Sequence, residues 1–215
     1  NQGRGRTRTG VVLVPITILR RKARSARYRL SQAIADWKRA GIEEKKRRRF
    51  ERWMDSLRRH PPQVLVGSNF AEFGGVRGHI HAIERYSRCK VELAPSDLLL
   101  ETLEPHDLTT RFNEQFMSFE PRGIRAAHSH VFPWFIHWCR RHRGKGMRWV
   151  HTYHAPYFPE YGNGELLQWQ IDINEALLDH ARDADVRISV SRWQQAWLSG
   201  NHGIEAEYIL DGGDV

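Results

Sequence analysis

Cysteine is scarce. Cys89 and Cys139 are the only two in 215 residues, too few for a disulfide framework and without the spacing of a cysteine metal site, so a reducing, cytosolic setting is expected. Long apolar runs are missing as well. The longest, Val11 to Leu19, is interrupted by Pro15 and falls well short of the roughly 20 residues of a membrane-spanning helix. It reads as a short buried strand, because Arg20, Arg21, Lys22 and Arg24 follow it where a signal peptide would place a small-residue cleavage site. Acidic residues are scarce at one end only. Residues 1–60 hold 5 Asp/Glu against 19 Lys/Arg, which leaves 20 acidic and 15 basic residues for 61–215. The net charge of +9 therefore belongs entirely to the N-terminal segment.

That basic segment has a helical pattern. Leu30, Ala33, Ile34 and Trp37 recur at i, i+3, i+4, i+7, as do Phe50, Trp53, Met54 and Leu57, which predicts two amphipathic helices broken at Gly41. Pro61-Pro62 ends the second, since proline neither donates a backbone hydrogen bond nor lets the preceding residue stay helical. The expected boundary is thus at 60/61. Beyond it the sequence alternates short apolar runs (63–68, 90–94, 123–128, 148–153, 186–190 and 206–210) with helical stretches (76–87, 107–119, 133–143, 165–182 and 192–199). Such alternation predicts an α/β domain, a Rossmann-like parallel sheet with helices on both faces. Ligands of these sheets bind at the carboxyl ends of the strands.

The chemistry-bearing residues fall at those ends. The first strand runs into Asn69-Phe70-Ala71-Glu72-Phe73-Gly74-Gly75-Val76, which sets two glycines before a helix N-terminus. Glycine allows close backbone approach, and the free N–H groups of the first turn favour an anion such as phosphate. A Gly-Gly pair is also an ordinary turn. Ala127-His128-Ser129-His130 closes one strand and His151-Thr152-Tyr153-His154 closes another. Their H-x-H and H-x-x-H spacings suit a hydrolase metal, because alternate strand residues share a face. No Asp or Glu lies within either motif, however, so the reading adopted is metal-free, with histidines donating hydrogen bonds to sugar hydroxyls or phosphate oxygens. His128 and His151, inside strands, also read as satisfied core histidines. Trp134, Tyr153, Tyr157 and Phe158 suit core packing or stacking on a sugar, whereas Trp138, Trp193 and Trp197 read as helix packing residues. Glu160 and Glu165 are equally suited to receiving acceptor hydroxyls and to simple placement near a helix N-terminus.

In order, these segments resemble the N-terminal domain of the retaining GT-B glycosyltransferases of the large family-four type. Phe73-Gly74-Gly75-Val76-Arg77-Gly78-His79-Ile80 is similar to that family's Gly-Gly-Val turn and first helix. Val91-Glu92-Leu93-Ala94-Pro95 looks like its second strand, and Thr152-Tyr153-His154 resembles its Thr-aromatic-His strand end. Ala184-Asp185 followed by Ile188-Ser189-Val190-Ser191 matches the next strand, and Tyr208-Ile209-Leu210-Asp211-Gly212-Gly213-Asp214 sits where the family reads Val-Ile-Pro-Asn-Gly-Val-Asp. Asp211 for Asn and Gly213 for Val depart from that pattern.

The resemblance implies a hexosyltransferase-type enzyme in two domains, of which this chain supplies the acceptor-binding one. The donor domain, absent here, would follow near residue 215 or come as a separate subunit. It implies a nucleotide-sugar co-substrate, a lipid-linked or glycan hydroxyl acceptor and no further cofactor or metal. Gly74 and Gly75 would approach the donor diphosphate, and His154 would act as the catalytic residue by stabilising an oxocarbenium-like front-face displacement. His130, Tyr153 and Glu160 would lie on the acceptor side. Two other classes stay open, a solitary sugar- or phosphate-binding domain and a metal-dependent hydrolase. The basic segment has three readings of its own: stripes packed on the domain with solvated charges, a helix on the anionic inner face of a membrane, or a nucleic-acid arm. The last is disfavoured, because no nucleic-acid module accompanies it.

Overall fold

The structure, a computed structural model, describes residues 16–67, 75–99, 107–131, 133–154, 157–159 and 164–209. It falls into two compact units, residues 1–48 and 49–215. A single helix, α1 (Ile16–Arg59), contributes to both.

Within the first unit the helix runs through Gly41 without a break, correcting the expectation of two helices. One exposed glycine costs about 1 kcal/mol against alanine, and Gly41 sits among good helix formers. Glu44 also pairs with Arg47 at 3.1 Å and with Arg48 at 2.7 Å. The buried strand expected at 11–19 is not found at its described end, since Ile16 to Leu19 open the helix; Val11 to Pro15 lie outside the described residues. Trp37 is 76% exposed and Ile34 45%. Among the described residues no helix is long and apolar enough to cross a membrane.

The second unit begins twelve residues before Pro61, because the last turns of α1 belong to its core. Phe50, Met54 and Leu57 are buried, Phe50 stacks on Phe112 at 4.3 Å and Trp53 lies 5.6 Å from Phe116. The second apolar stripe is therefore a packing stripe, which moves the boundary from 60/61 to 48/49.

After α1 come β1 (Val64–Val66), α2 (Gly75–Tyr86), β2 (Val91–Leu93), a short α3 (Ser96–Leu99), α4 (Asp107–Met117), β3 (Ala126–Ser129), α5 (Pro133–His142), β4 (Arg148–Tyr153), α6 (Gln168–Asp183), β5 (Val186–Ser189), α7 (Arg192–His202) and β6 (Glu207–Tyr208). The strands form one sheet in the order β2-β1-β3-β4-β5-β6, parallel at every pairing. This is the expected Rossmann-like α/β architecture, with each strand at or within a residue or two of its apolar run. From β1 the chain first steps outward to β2 and then returns to place β3 on the other side. In open parallel sheets ligands bind at such a reversal, which here falls at the carboxyl ends of β1 and β3.

The main core is aromatic. Phe116 lies 5.0 Å from Trp138, and Trp138 Nε1 donates to the Phe119 carbonyl at 2.8 Å, so the indole buries its ring without orphaning its polar atom. A smaller cluster joins Tyr153, Leu178, Ala181, Leu198 and Ile204. Gly67, directly after β1, is required by close approach: a Cβ there would sit 2.7 Å from the Phe135 ring of α5. The Asp185 carboxylate joins two strand starts, accepting from Trp149 N and from Arg143 Nε, each at 2.9 Å. Ser191 caps α7 by accepting from Gln194 N at 3.1 Å, a normal N-cap role for serine. Of the three tryptophans read as packing residues, Trp138 is fully buried, but Trp193 is 58% exposed on the outer edge of an aromatic group with Phe158 and Trp197.

Candidate functional site

The pairing of β3 with β4 matches His128 to Val150 and Ser129 to His151. Side chains alternate along each strand, so His128, His130, Thr152 and His154 leave the sheet on one side. Ser129, His151 and Tyr153 leave on the other.

The first side carries a histidine cluster. His128 Nε2 lies 2.7 Å from Thr152 Oγ1, and His130 Nδ1 lies 3.0 Å from His154 Nε2. The His128 and His130 rings stack with centroids 4.5 Å apart. A fourth ring comes from α2: His79 approaches His130, His128 and His154 edge-on at 5.4, 6.1 and 6.2 Å. His79 stands four residues, about one helical turn, from Gly75, the first residue of α2. The start of α2 and the strand-end histidines thus share one edge of the sheet. Gly74 and Glu160 lie outside the described residues, and Gly75 is described only as the start of its helix.

Burial sets the charge of this cluster. It pushes His128 down to about 3 and His154 to about 4, and holds His130 well below the usual imidazole range. Proximity adds to the effect, because a proton on one ring disfavours a proton on its neighbour. These three are neutral at pH 7, each with one N–H to donate and one lone pair. When His130 Nδ1 carries its proton and donates to His154 Nε2, the proton of His154 sits on Nδ1 and is free to meet a ligand oxygen. In that tautomer His154 is a hydrogen-bond donor at Nδ1, and in the reverse tautomer Nδ1 is an acceptor.

The second side is packed shut. Trp149 Nε1 donates to Ser129 Oγ at 2.7 Å, and His151 Nδ1 lies 2.8 Å from the same hydroxyl. His151 meets His180 of α6 at 6.0 Å. Tyr153, read from the sequence as facing the acceptor, instead enters the smaller core and stacks on Trp197 at 6.2 Å. Burial raises its phenol. Strand alternation accounts for this placement, since Thr152 and His154 occupy the side that faces the cluster.

Of the residues proposed from sequence, the structure brings together His130, His154 and the start of α2. Two partners were missed. Thr152 was legible as the alternate of His154 on β4. His79 reaches the site only through the docking of α2 on the sheet, and its one signal was its position on the same helical face as the buried Ile80 and the half-buried Ile83. No family model matches this chain, and no curated protein matches it.

Proposed function

We propose that residues 49–215 form the acceptor-side domain of a retaining glycosyltransferase, which moves a sugar from a nucleotide-sugar donor to a hydroxyl of a lipid-linked or glycan acceptor. The observation that carries the reading is the convergence of three elements on one sheet edge: α2 beginning at Gly75, His130 after β3 and His154 after β4. The first and third of these are segments in which the sequence resembles the family, and the crevice of a parallel sheet is where such a ligand binds.

In this reading the first-turn N–H groups of α2 donate to the oxygens of the donor diphosphate, helped by the positive end of the helix dipole. His154, kept neutral by burial and oriented by His130, donates from Nδ1 to an oxygen that gains negative charge as the glycosidic bond breaks. A donor already aimed at developing charge needs no reorganisation during the reaction. With its Nε2 lone pair held by His130 and its basicity lowered by burial, the ring also does not compete for the acceptor proton.

The test is sugar transfer by this domain assembled with a donor domain. His154→Ala is expected to lower kcat by about 10²–10³-fold, the usual effect of removing one such donor, with KM for the nucleotide sugar little changed. An unaltered kcat in a folded variant sinks the reading.

For the first unit we propose peripheral contact with an anionic membrane surface. Support comes from exposed Trp37 and Ile34 beside a stretch, Ile16 to Ala35, that contains no Asp or Glu. Basic residues each add about 1 kcal/mol near such a surface. Co-sedimentation with anionic vesicles that is lost in Trp37→Glu is the expected result, and equal sedimentation with zwitterionic vesicles refutes it.

A further inference from the structure

His79, His128 and His130 each offer a ring nitrogen, and the three nitrogens lie within 4.8 Å of one another. They come from two elements, α2 and the end of β3, and all three rings are buried, at 8%, 7% and 0% exposure. The cluster is built rather than incidental. His128 Nε2 is engaged by Thr152 Oγ1 and His130 Nδ1 by His154 Nε2, and when those engaged nitrogens carry the ring protons, Nδ1 of His128 and Nε2 of His130 have lone pairs to offer. His130 Nε2 is fully buried and has no hydrogen-bond partner.

We propose that His79, His128 and His130 form a binding site for a late first-row divalent ion, zinc foremost. An all-imidazole set suits zinc, copper or nickel, whereas magnesium and calcium require oxygen ligands. Tetrahedral zinc holds its nitrogens at 2.0–2.1 Å, hence about 3.4 Å from one another, so the nitrogens must draw together by at most about 1.4 Å from their 4.8 Å envelope. Rotation of the imidazoles and of the His79 side chain on its helix supplies this. Three protein ligands leave the fourth position to a water or to a ligand oxygen, the arrangement of open zinc sites. Thr152 and His154 are the outer partners that fix the two strand histidines, as ligating histidines ordinarily require. An ion on His130 Nε2 also forces that ring's proton onto Nδ1, where it is donated to His154, so occupancy and the tautomer of His154 are linked. The site does not depend on the sugar-transfer reading, and its test does not involve transfer.

The experiment uses the full chain, stripped by a chelator and titrated with zinc chloride against a chromophoric zinc indicator, with cobalt(II) chloride as the optical probe. One tight equivalent is expected, with the intense visible bands of tetrahedral cobalt. His79→Asn and His130→Asn are each expected to weaken zinc by more than the roughly 10–100-fold that loss of an outer partner costs, and Thr152→Val by an amount within that range. His81→Gln, exposed on α2 beside Glu84, is expected to leave the affinity unchanged. X-ray absorption on the zinc-loaded parent needs no substitution and is expected to show three imidazole ligands. The proposal is overturned by octahedral cobalt, by fewer than three imidazoles, by a zinc equivalent that disappears with His81→Gln, or by folded His79 and His130 variants that bind like the parent.

Discussion

Strands β3 and β4 send histidines to both sides of one sheet, and the two sides differ in what closes over them. On the α2 side, His79, His128 and His154 keep 7–9% exposure around His130 and Thr152 at 0%, at the edge where the chain reverses about β1. On the other side Ser129, Trp149, His151 and Tyr153 are at 0%, sealed by an indole-to-hydroxyl bond and the α6 and α7 helices. The same residue type in adjacent positions thus forms a cluster with a slightly exposed rim in one case and fully interior packing in the other. A strand-end histidine becomes a functional candidate through the element that covers it.

Substitutions on the two sides are expected to fail differently. The largest effect is on the sealed side: Trp149→Ala removes a fully buried indole and its bond to Ser129, at an expected cost of about 3–5 kcal/mol, read from urea unfolding. Equal stability in that variant would mean the sealed side is not closed as described. On the cluster side, His154→Ala is expected to keep a urea midpoint close to the parent's while transfer falls as stated above. A variant that instead unfolds would erase the distinction between the sides.

The smallest effect is acid sensitivity of the sealed side. Burial lowers His180 to about 4, against about 6.5 when unfolded. Arg140 and His137 on α5 also oppose its proton, Asp179 and Asp183 on its own helix favour it, and His151 faces it from β4. Between these two values the unfolded chain binds the proton that the folded chain refuses, so the contribution is fully present above pH 6.5 and is lost as pH falls toward about 4. The urea midpoint is therefore expected to drop on acidification, less steeply in His180→Gln. An identical slope in that variant would remove His180 from the account.

Much of the fold was legible in the sequence because each strand carried an apolar run and every helix but the four-residue α3 its own periodicity. Those signals are local. The site was legible only in part. His130 and His154 stood at predicted strand ends, but Tyr153 was assigned to the wrong side, because β alternation settles a side chain's face only once one residue of the strand is anchored. Thr152 bonding to His128 is that anchor. The start of the second unit was misplaced for a related reason: Pro61-Pro62 marks where a helix stops, and says nothing about what the preceding turns pack against. Gly41 misled in the opposite direction, since a glycine cost of about 1 kcal/mol is too small to break a helix with strong formers on both sides.

The sequence by itself determined the alternation of strands and helices, the charge division between a basic arm and an acidic domain, and the gathering of histidines at strand ends. Each follows from residue type and short-range spacing. Only the tertiary structure decided that β1 lies between β2 and β3, that α2 brings His79 onto the strand histidines, and that His151 and Tyr153 face away from them. Those outcomes depend on which helix covers which face, a packing choice made by residues far apart in the chain.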